Sequence, residues 1–364
     1  MRLLPRRLVI LAAALLACTA MIEAQQPVTK VAREANQKLV KLYGAGGFKG
    51  LPSYGTGILV SPDGYILTVN NHILTTQDLR VRLADGRFFH NCKVVAREPD
   101  LDVALIKIDD KAVDKLAHFN ISQAATAPLA QNGDWVLAFS NQFQIATGNE
   151  PMSVQRGTIQ AYTELRGRRG IFQAPYNGEV YFIDAIICNP GAAGGAVTNR
   201  RGELVGIIGR EIKNTLSDTW INYAIPIQAK VELLFEDKEK AVMVSLADFV
   251  RKGMDGTYKI SKGRPKDREA GDGYTGIVLV PNVVQVTPAY VEEVIPNSPA
   301  AKAGLRPDDQ IVYVDGELVQ SIKAFKEIVK YAQPGNELVL EVQRGNRLAT
   351  VRLKVEKHPQ IKAP

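Results

Sequence analysis

Three places in the sequence hold residues able to do chemistry. His72 closes the run Ile66-Leu-Thr-Val-Asn-Asn-His72, and Asp102 opens Asp102-Val-Ala-Leu-Ile-Lys-Ile108. The third is the turn Cys188-Asn-Pro-Gly-Ala-Ala-Gly-Gly-Ala-Val197, small throughout from Gly191 to Gly195. Imidazole and carboxylate move or steer protons near neutral pH. A run of residues this small makes a tight turn or lets backbone approach a ligand closely. Taken singly, His72 reads as a structural histidine and Asp102 as a turn residue; their flanks and their order along the chain give them more weight. No serine, threonine or cysteine stands between Gly191 and Gly195.

Holding such groups in place falls to many short strands. Strand-like runs lie at 57–60 and 65–68, separated by Ser61-Pro-Asp-Gly64, and at 79–83, 93–96 and 103–108. A second series covers 135–139, 155–161, 180–185, 204–208 and 221–225. Short strands punctuated by Gly, Pro and Asp suggest a barrel or sandwich, and their number suits two small barrels. A short helix is expected within 27–45, and helical periodicity returns from Gln228 to Arg251. Residues 251–273 are basic and Gly-bearing, which reads as an exposed linker. Residues 274–358 carry a separate hydrophobic pattern, with strands at 276–280, 289–294, 310–314, 337–344 and 348–355 and a helix at 321–332.

The flanks of the three sites resemble the HtrA/Deg family of trypsin-like serine proteases. The matching pieces are Gly55-Thr-Gly-Ile-Leu-Val-Ser-Pro-Asp-Gly-Tyr-Ile-Leu-Thr68, Asn70-Asn-His72 and Asp100-Leu-Asp-Val-Ala-Leu-Ile-Lys107. Asp184-Ala185, Asn189-Pro-Gly191, Gly194-Gly195 and Asn222-Tyr-Ala-Ile-Pro226 continue the match. The order histidine, aspartate, small-residue turn is the trypsin-like one, unlike that of subtilisins or α/β-hydrolases. The resemblance implies a mainly β fold, a trypsin-like double β-barrel over 25–250 followed by a PDZ domain over 274–358.

It also implies roles. His72 would be the general base, Asp102 its orienter, and the backbone N–H groups of Gly191 and Ala193 an oxyanion hole. Ala193 stands where the family carries its nucleophilic serine, and a methyl group has neither lone pair nor proton to give. Losing such a serine costs on the order of 10⁶ in turnover. Thr198 and Ser140 are replacements by residue type but lie off the turn, and Cys188 is five positions before Ala193. Ala192, where a larger polar residue is common, and an apparent extra residue between Asp184 and Gly191 are further departures from the family pattern.

In the C-terminal module, Tyr274-Thr-Gly-Ile277 resembles the carboxylate-binding loop of a PDZ domain. Backbone N–H groups there hold a terminal carboxylate while the peptide adds as a strand. Asn297-Ser-Pro-Ala-Ala-Lys-Ala-Gly-Leu305 and Asp308-Asp-Gln-Ile-Val-Tyr-Val-Asp-Gly316 support the assignment. The groove partner would be the helix at 321–332, presenting Ile322, Phe325 and Val329.

Composition is that of a globular chain: 364 residues, 46% hydrophobic, 23% charged and a formal net charge of +7. A surplus that small, without zinc-finger spacing or a basic helix, does not point to nucleic acid. Met1 to Arg7 is basic, Leu8 to Ala17 apolar, and Ile22-Glu-Ala24 offers a cleavage site, so residues 1–24 read as an export signal. The apolar core is too short for a comfortable membrane span. Leu15-Leu-Ala-Cys18 offers lipid anchoring as the alternative to soluble periplasmic or extracellular export. Cys92 and Cys188 read as two thiols rather than a disulfide framework. No metal-ligand spacing and no phosphate loop stand out, so no cofactor is expected.

These readings converge on a pseudoprotease that binds unfolded segments or peptide C-termini as chaperone, adaptor or scaffold. The resemblance adds a homotrimer or an assembly with an active relative. The alternative is an active endopeptidase with an unrecognised nucleophile.

Overall fold

The computed structural model describes residues 28–46, 52–111, 113–170, 172–236, 238, 240–261, 271–281 and 287–358. Residues 1–24, read above as an export signal, and with them Cys18, lie outside the described residues. The first half forms a seven-stranded antiparallel sheet. Its spatial order is Phe88–Phe89, Arg80–Leu83, Leu39–Tyr43, Tyr54–Leu59, Tyr65–Val69, Val103–Ile108 and Cys92–Glu98. Alternation between two cores explains why its central strands are apolar at most positions. Ile66, Ala104 and Ile106 face the interior of this sheet, whereas Leu67, Val69, Val103 and Leu105 face a second core shared with the next barrel.

The second half is a closed six-stranded barrel. Around it run Glu179–Ile183, Tyr223–Pro226, Leu204–Ile208, Ala196–Asn199, Trp135–Ser140 and Ser153–Glu164. Val136, Ala138, Tyr181 and Val197 fill it, while Leu137, Phe139, Ala196 and Ile207 join Leu39 and Ile58 in the shared core. Ala193 belongs to that shared core, so the small-residue turn sits at the seam of the two halves.

Two helical expectations change. The helix α1 stops at Asn36 (Val28–Asn36), and Leu39–Tyr43 is a strand paired on both edges. Leu39, Val40 and Leu42 are all fully buried, and only a strand sends Leu39 and Val40 into opposite cores. From Gln228 onward, Lys230–Leu233 pairs with Val242–Ser245, and helix begins only at Leu246. The short helix α2 (Ile121–Thr126) lies between the halves of the chain, and α3 (Leu246–Met254) is N-capped by Ser245. The start of the expected linker is packed rather than exposed. Buried Glu98 accepts hydrogen bonds from Tyr258 Oη at 2.6 Å and Ser261 Oγ at 2.9 Å.

The C-terminal domain has its own core around Val291, Ile311, Phe325, Leu338 and Leu353. Ile277–Leu279 forms one edge of its sheet, followed by Ala289–Val294, Gln310–Val314, Glu337–Arg344 and Arg347–Lys354. Glu317–Leu318 folds back on Gln310–Val314 through the turn at Asp315-Gly316. Its helices are α4 (Pro299–Lys302, capped by Ser298) and α5 (Ile322–Val329, capped by Ser321). Among the described residues, no helix is long and apolar enough to cross a membrane.

Candidate functional site

The turn at 191–195 is built around glycine for a steric reason. Gly191 and Gly194 both sit at φ +84°, the left-handed region. A Cβ on Gly191 would lie 2.3 Å from the Tyr54 ring and 2.6 Å from the Asn141 carbonyl. A Cβ on Gly194 would lie 2.2 Å from the Thr56 carbonyl oxygen. Thr56 clamps the turn from the first sheet: its Oγ1 donates to the Gly191 carbonyl at 2.8 Å, and its N–H donates to that of Ala193 at 3.3 Å. The N–H groups of Gly191 and Ala193 meet no acceptor among the described residues.

His72 opens a 3-10 turn (His72–Leu74) that follows the strand Tyr65–Val69 after Asn70 and Asn71. It shares a cavity of about 740 Å³ with Gly191, Ala193 and Arg210, walled on the other side by Glu317 and Ile328 of the C-terminal domain. Its Nε2 carries the proton and donates to the Pro52 carbonyl at 2.8 Å. Burial first, then Arg169 and Arg210, push the imidazole down to about 4, with the Pro52 bond and Glu317 opposing. His72 is therefore neutral near pH 7.

Asp102 does not orient His72, as the resemblance implied. Its carboxylate is occupied by Arg210, which donates from Nε at 2.8 Å and from Nη2 to the second oxygen. Arg210 Nη2 also reaches the Asn70 carbonyl, and Nη1 donates to Glu317 Oε1 at 3.2 Å. Among the described residues, no hydrogen bond or ion pair joins His72 to Asp102. A guanidinium offers two parallel donors to a carboxylate, a geometry the single N–H of an imidazole cannot match. Burial lifts the Asp102 carboxyl to about 6 while Arg210 pulls the other way, so it is ionised at neutral pH. For Arg210, burial opposes the charge, yet Asp102 and Glu317 hold its pKa above the usual value.

The other nucleophile types sit elsewhere. Burial, then Glu211, raises the Cys188 thiol to about 12, leaving no appreciable thiolate at neutral pH. Ser140 and Thr198 are buried, and Thr198 Oγ1 donates to the Asn199 carbonyl at 3.1 Å. None of the three lines the cavity of His72 and Ala193. Cys92 and Cys188 are both free thiols. Among the described residues, no cluster of three His, Cys, Asp or Glu is placed to hold a metal.

In the C-terminal domain, Gly276 also has a left-handed φ of +73°, and a Cβ there would lie 2.1 Å from that of Ser298. The Thr275 carbonyl accepts from Ala300 N–H at 2.9 Å and the Gly276 carbonyl from Ile295 N–H at 3.0 Å. This fixes the loop between Tyr274 and the edge strand that begins at Ile277. Tyr274 pairs with Glu356 and stacks edge-on against His358 at 5.1 Å. Phe325 and Ile322 are core residues, 4% and 1% exposed, so α5 does not present them to a groove. Val329 and Ile277 are half-buried at the rim of that core.

Sequence reasoning missed Arg210, Glu317 and Arg169. The one available signal was the charged pair Arg210-Glu211, one glycine beyond the apolar strand Leu204–Ile208, where an inward-facing strand gives way to the cleft.

Barrels with a seam turn, followed by a PDZ domain, define a trypsin-like peptidase fold joined to a peptide-binding module. A trypsin-like peptidase domain model matches residues 55–207 and a PDZ domain model matches 290–344. Among curated proteins, the chain is 29% identical over 328 residues to a probable periplasmic serine endoprotease DegP-like of Chlamydia trachomatis. It is 28% identical over 308 residues to the periplasmic serine endoprotease DegP of Escherichia coli. These alignments cover 86% and 84% of this chain but 58% and 57% of the relatives, so the chain spans little more than half their length. Of solved structures, the serine endoprotease of Yersinia pestis aligns over 92% of this chain and 98% of its own, at 23% identity and a TM-score of 0.43. Together the two domain matches and the DegP relatives support an HtrA/Deg family protein.

Proposed function

We propose that this chain is an exported, proteolytically inactive member of its family that binds unfolded segments and peptide C-termini as a chaperone, adaptor or scaffold. The observation that carries the reading is the company His72 keeps. It shares its cavity with the methyl group of Ala193, and the carboxylate that would orient it is held by Arg210. A base without nucleophile or orienter does not drive acyl transfer. The Gly191 and Ala193 N–H groups remain donors for a peptide carbonyl, with Gly191 and Ala193 supplying an oxyanion-type pocket and no attacking atom. Tyr274-Thr-Gly-Ile277 and the open edge Ile277–Leu279, with Val329 at the rim, would receive a C-terminal strand. Assembly as a trimer or with an active relative belongs to the same reading, as does release to the periplasm.

Casein digestion by the wild-type chain tests it. No hydrolysis above the no-enzyme control is expected. Hydrolysis that is blocked and labelled by a serine- or cysteine-directed inhibitor would overturn the assignment.

A further inference from the structure

One carboxylate in the cavity of His72 and Ala193 is left without a bond. Glu211 lines that cavity together with Gly191, Ala193, Tyr54 and Arg169. Arg210 before it turns to Asp102, and Ile212 after it is fully buried in the shared core, so Glu211 alone of the three is left to the cavity. Its oxygens make no hydrogen bond or ion pair with any described residue, although Arg169 attracts them through space. The other acid on the outer wall, Glu317, is already spent on Arg210.

The position of Glu211 is fixed by the segment that leads into the small-residue turn. Cys188 Sγ donates to the Ile212 carbonyl at 4.0 Å, tying that segment to the residues around Glu211. Tyr54, on the same side, is the ring a Cβ on Gly191 would strike. Glu211 acts on both neighbours: after burial, its charge raises the pKa of the Tyr54 phenol and of the Cys188 thiol. Burial in turn lifts the Glu211 carboxyl above its ordinary value, with Arg169 opposing. Two kinds of group therefore converge on one space of about 740 Å³. The N–H groups of Gly191 and Ala193 meet no acceptor among the described residues, and the Glu211 carboxylate meets no donor. A partly desolvated carboxylate lacking donors is costly, and an entering cation that donates to it removes that cost.

We propose that Glu211 makes this cleft selective for a basic side chain. A lysine or arginine of an extended segment reaches the Glu211 carboxylate while a backbone carbonyl of the same segment accepts from the Gly191 and Ala193 N–H groups. Such recognition rests on the binding of unfolded segments proposed above for this cleft, and names the side chain it takes. Arginine offers two parallel donors to a carboxylate and lysine a single point charge, so arginine ranks first. A neutral side chain of similar length fills the same space but leaves Glu211 unbonded. The preference is a property of the cleft and is independent of the PDZ edge, which takes a terminal carboxylate.

The test uses the full chain and a set of short unstructured peptides, acetylated and amidated so that no terminal carboxylate engages the PDZ loop. They carry a fluorophore and differ only at one central residue: arginine, lysine, norleucine or glutamate. Anisotropy titrations are expected to show the arginine peptide binding about tenfold more tightly than the norleucine one, as a single charge-assisted hydrogen bond implies. In Glu211→Gln that ratio is expected to fall to near one, and in Glu211→Lys the glutamate peptide is expected to become the preferred one. Glu211 has no bond to lose, so both variants should keep the wild-type urea midpoint, which separates lost recognition from lost folding. Equal affinity of the wild type for the arginine and norleucine peptides, or a preference that survives in Glu211→Gln, would overturn the role of Glu211 and leave peptide binding standing. A wild-type preference for glutamate would overturn it as well, and assign the charge selectivity to Arg169. Failure of all the peptides to bind the wild type would overturn the cleft as a peptide site, and the role of Glu211 with it.

Discussion

Asp102 is one residue with two available partners, and geometry decides between them. It sits at φ +55°, a left-handed conformation uncommon outside glycine, and its own carbonyl accepts from Asn70 N–H at 3.0 Å. That brings the strand end bearing His72 beside it, but the carboxylate goes to the fork of Arg210. Separating an orienting aspartate from its histidine lowers turnover by about 10⁴ in a protease that keeps its serine. Restoring the nucleophile alone is therefore insufficient. Ala193→Ser is expected to show casein hydrolysis about 10⁴ below that of a competent triad, and Ala193→Ser with Arg210→Ala to exceed it; the rates of the two variants, compared side by side, check this. The imidazole supplies a pH signature as well. Its ordinary pKa of 6.5 falls to about 4 in the folded chain. Between those values the unfolded chain binds a proton that the folded chain refuses, so stability falls as pH drops from 6.5 toward 4. The loss attributable to His72 is up to about 3 kcal/mol. Urea midpoints across this window are expected to fall less steeply in His72→Gln than in the wild type, with the two curves parallel above pH 7.

Among elements, the strands were the legible part. Runs such as Val103–Ile108 and Leu204–Ile208 read correctly because burial on both faces makes nearly every residue apolar. The stretch after Gln228 misled because Val231, Leu234 and Phe235 fit a helical period, while the real constraint was pairing of Lys230–Leu233 with Val242–Ser245. Pairing partners outside a window leave no trace in its periodicity. Arg210 escaped for the same reason: its partners Asp102 and Glu317 lie more than a hundred residues away on either side. The small-residue turn was legible as a turn, and the structure supplies the steric cause. Gly194→Ala would place a methyl 2.2 Å from the Thr56 carbonyl at a left-handed φ. It is expected to cost more than about 2 kcal/mol, read as a lowered urea midpoint with unchanged slope. Glu98 makes a second element-level prediction. Its carboxylate ties Tyr258 and Ser261 to the loop of Asp102, also accepting from Asp100 N–H at 3.1 Å. Glu98→Ala strands these donors and is expected to destabilise by about 2 kcal/mol. Earlier proteolytic nicking after Met254 would accompany it.

At the scale of the whole molecule, the two candidate binding places differ in accessibility. The PDZ domain turns one hairpin, 313–318, toward the cleft, whereas the strand Ile277–Leu279 is the last in its sheet and, among the described residues, pairs only with Ala289–Val294. A strand with one unpaired edge accepts another by backbone hydrogen bonds. The loop before it is shaped by Gly276, whose left-handed backbone and bare Cα against Ser298 keep the chain tight at Thr275-Gly276. A terminal carboxylate placed there would take charge-assisted bonds from backbone N–H groups, each worth roughly 1.5–3 kcal/mol. Calorimetry with a hydrophobic peptide is therefore expected to show about tenfold or greater weakening when its C-terminus is amidated. Gly276→Ala is expected to weaken the free acid similarly, because the added methyl must displace Ser298 and the cap of α4. Glu317→Gln leaves this edge untouched, so its affinity for the same peptide should match the wild type. Equal binding of acid and amide would move recognition away from the Tyr274-Ile277 loop, and toward the half-closed cleft where Gly191 and Ala193 offer the remaining backbone donors.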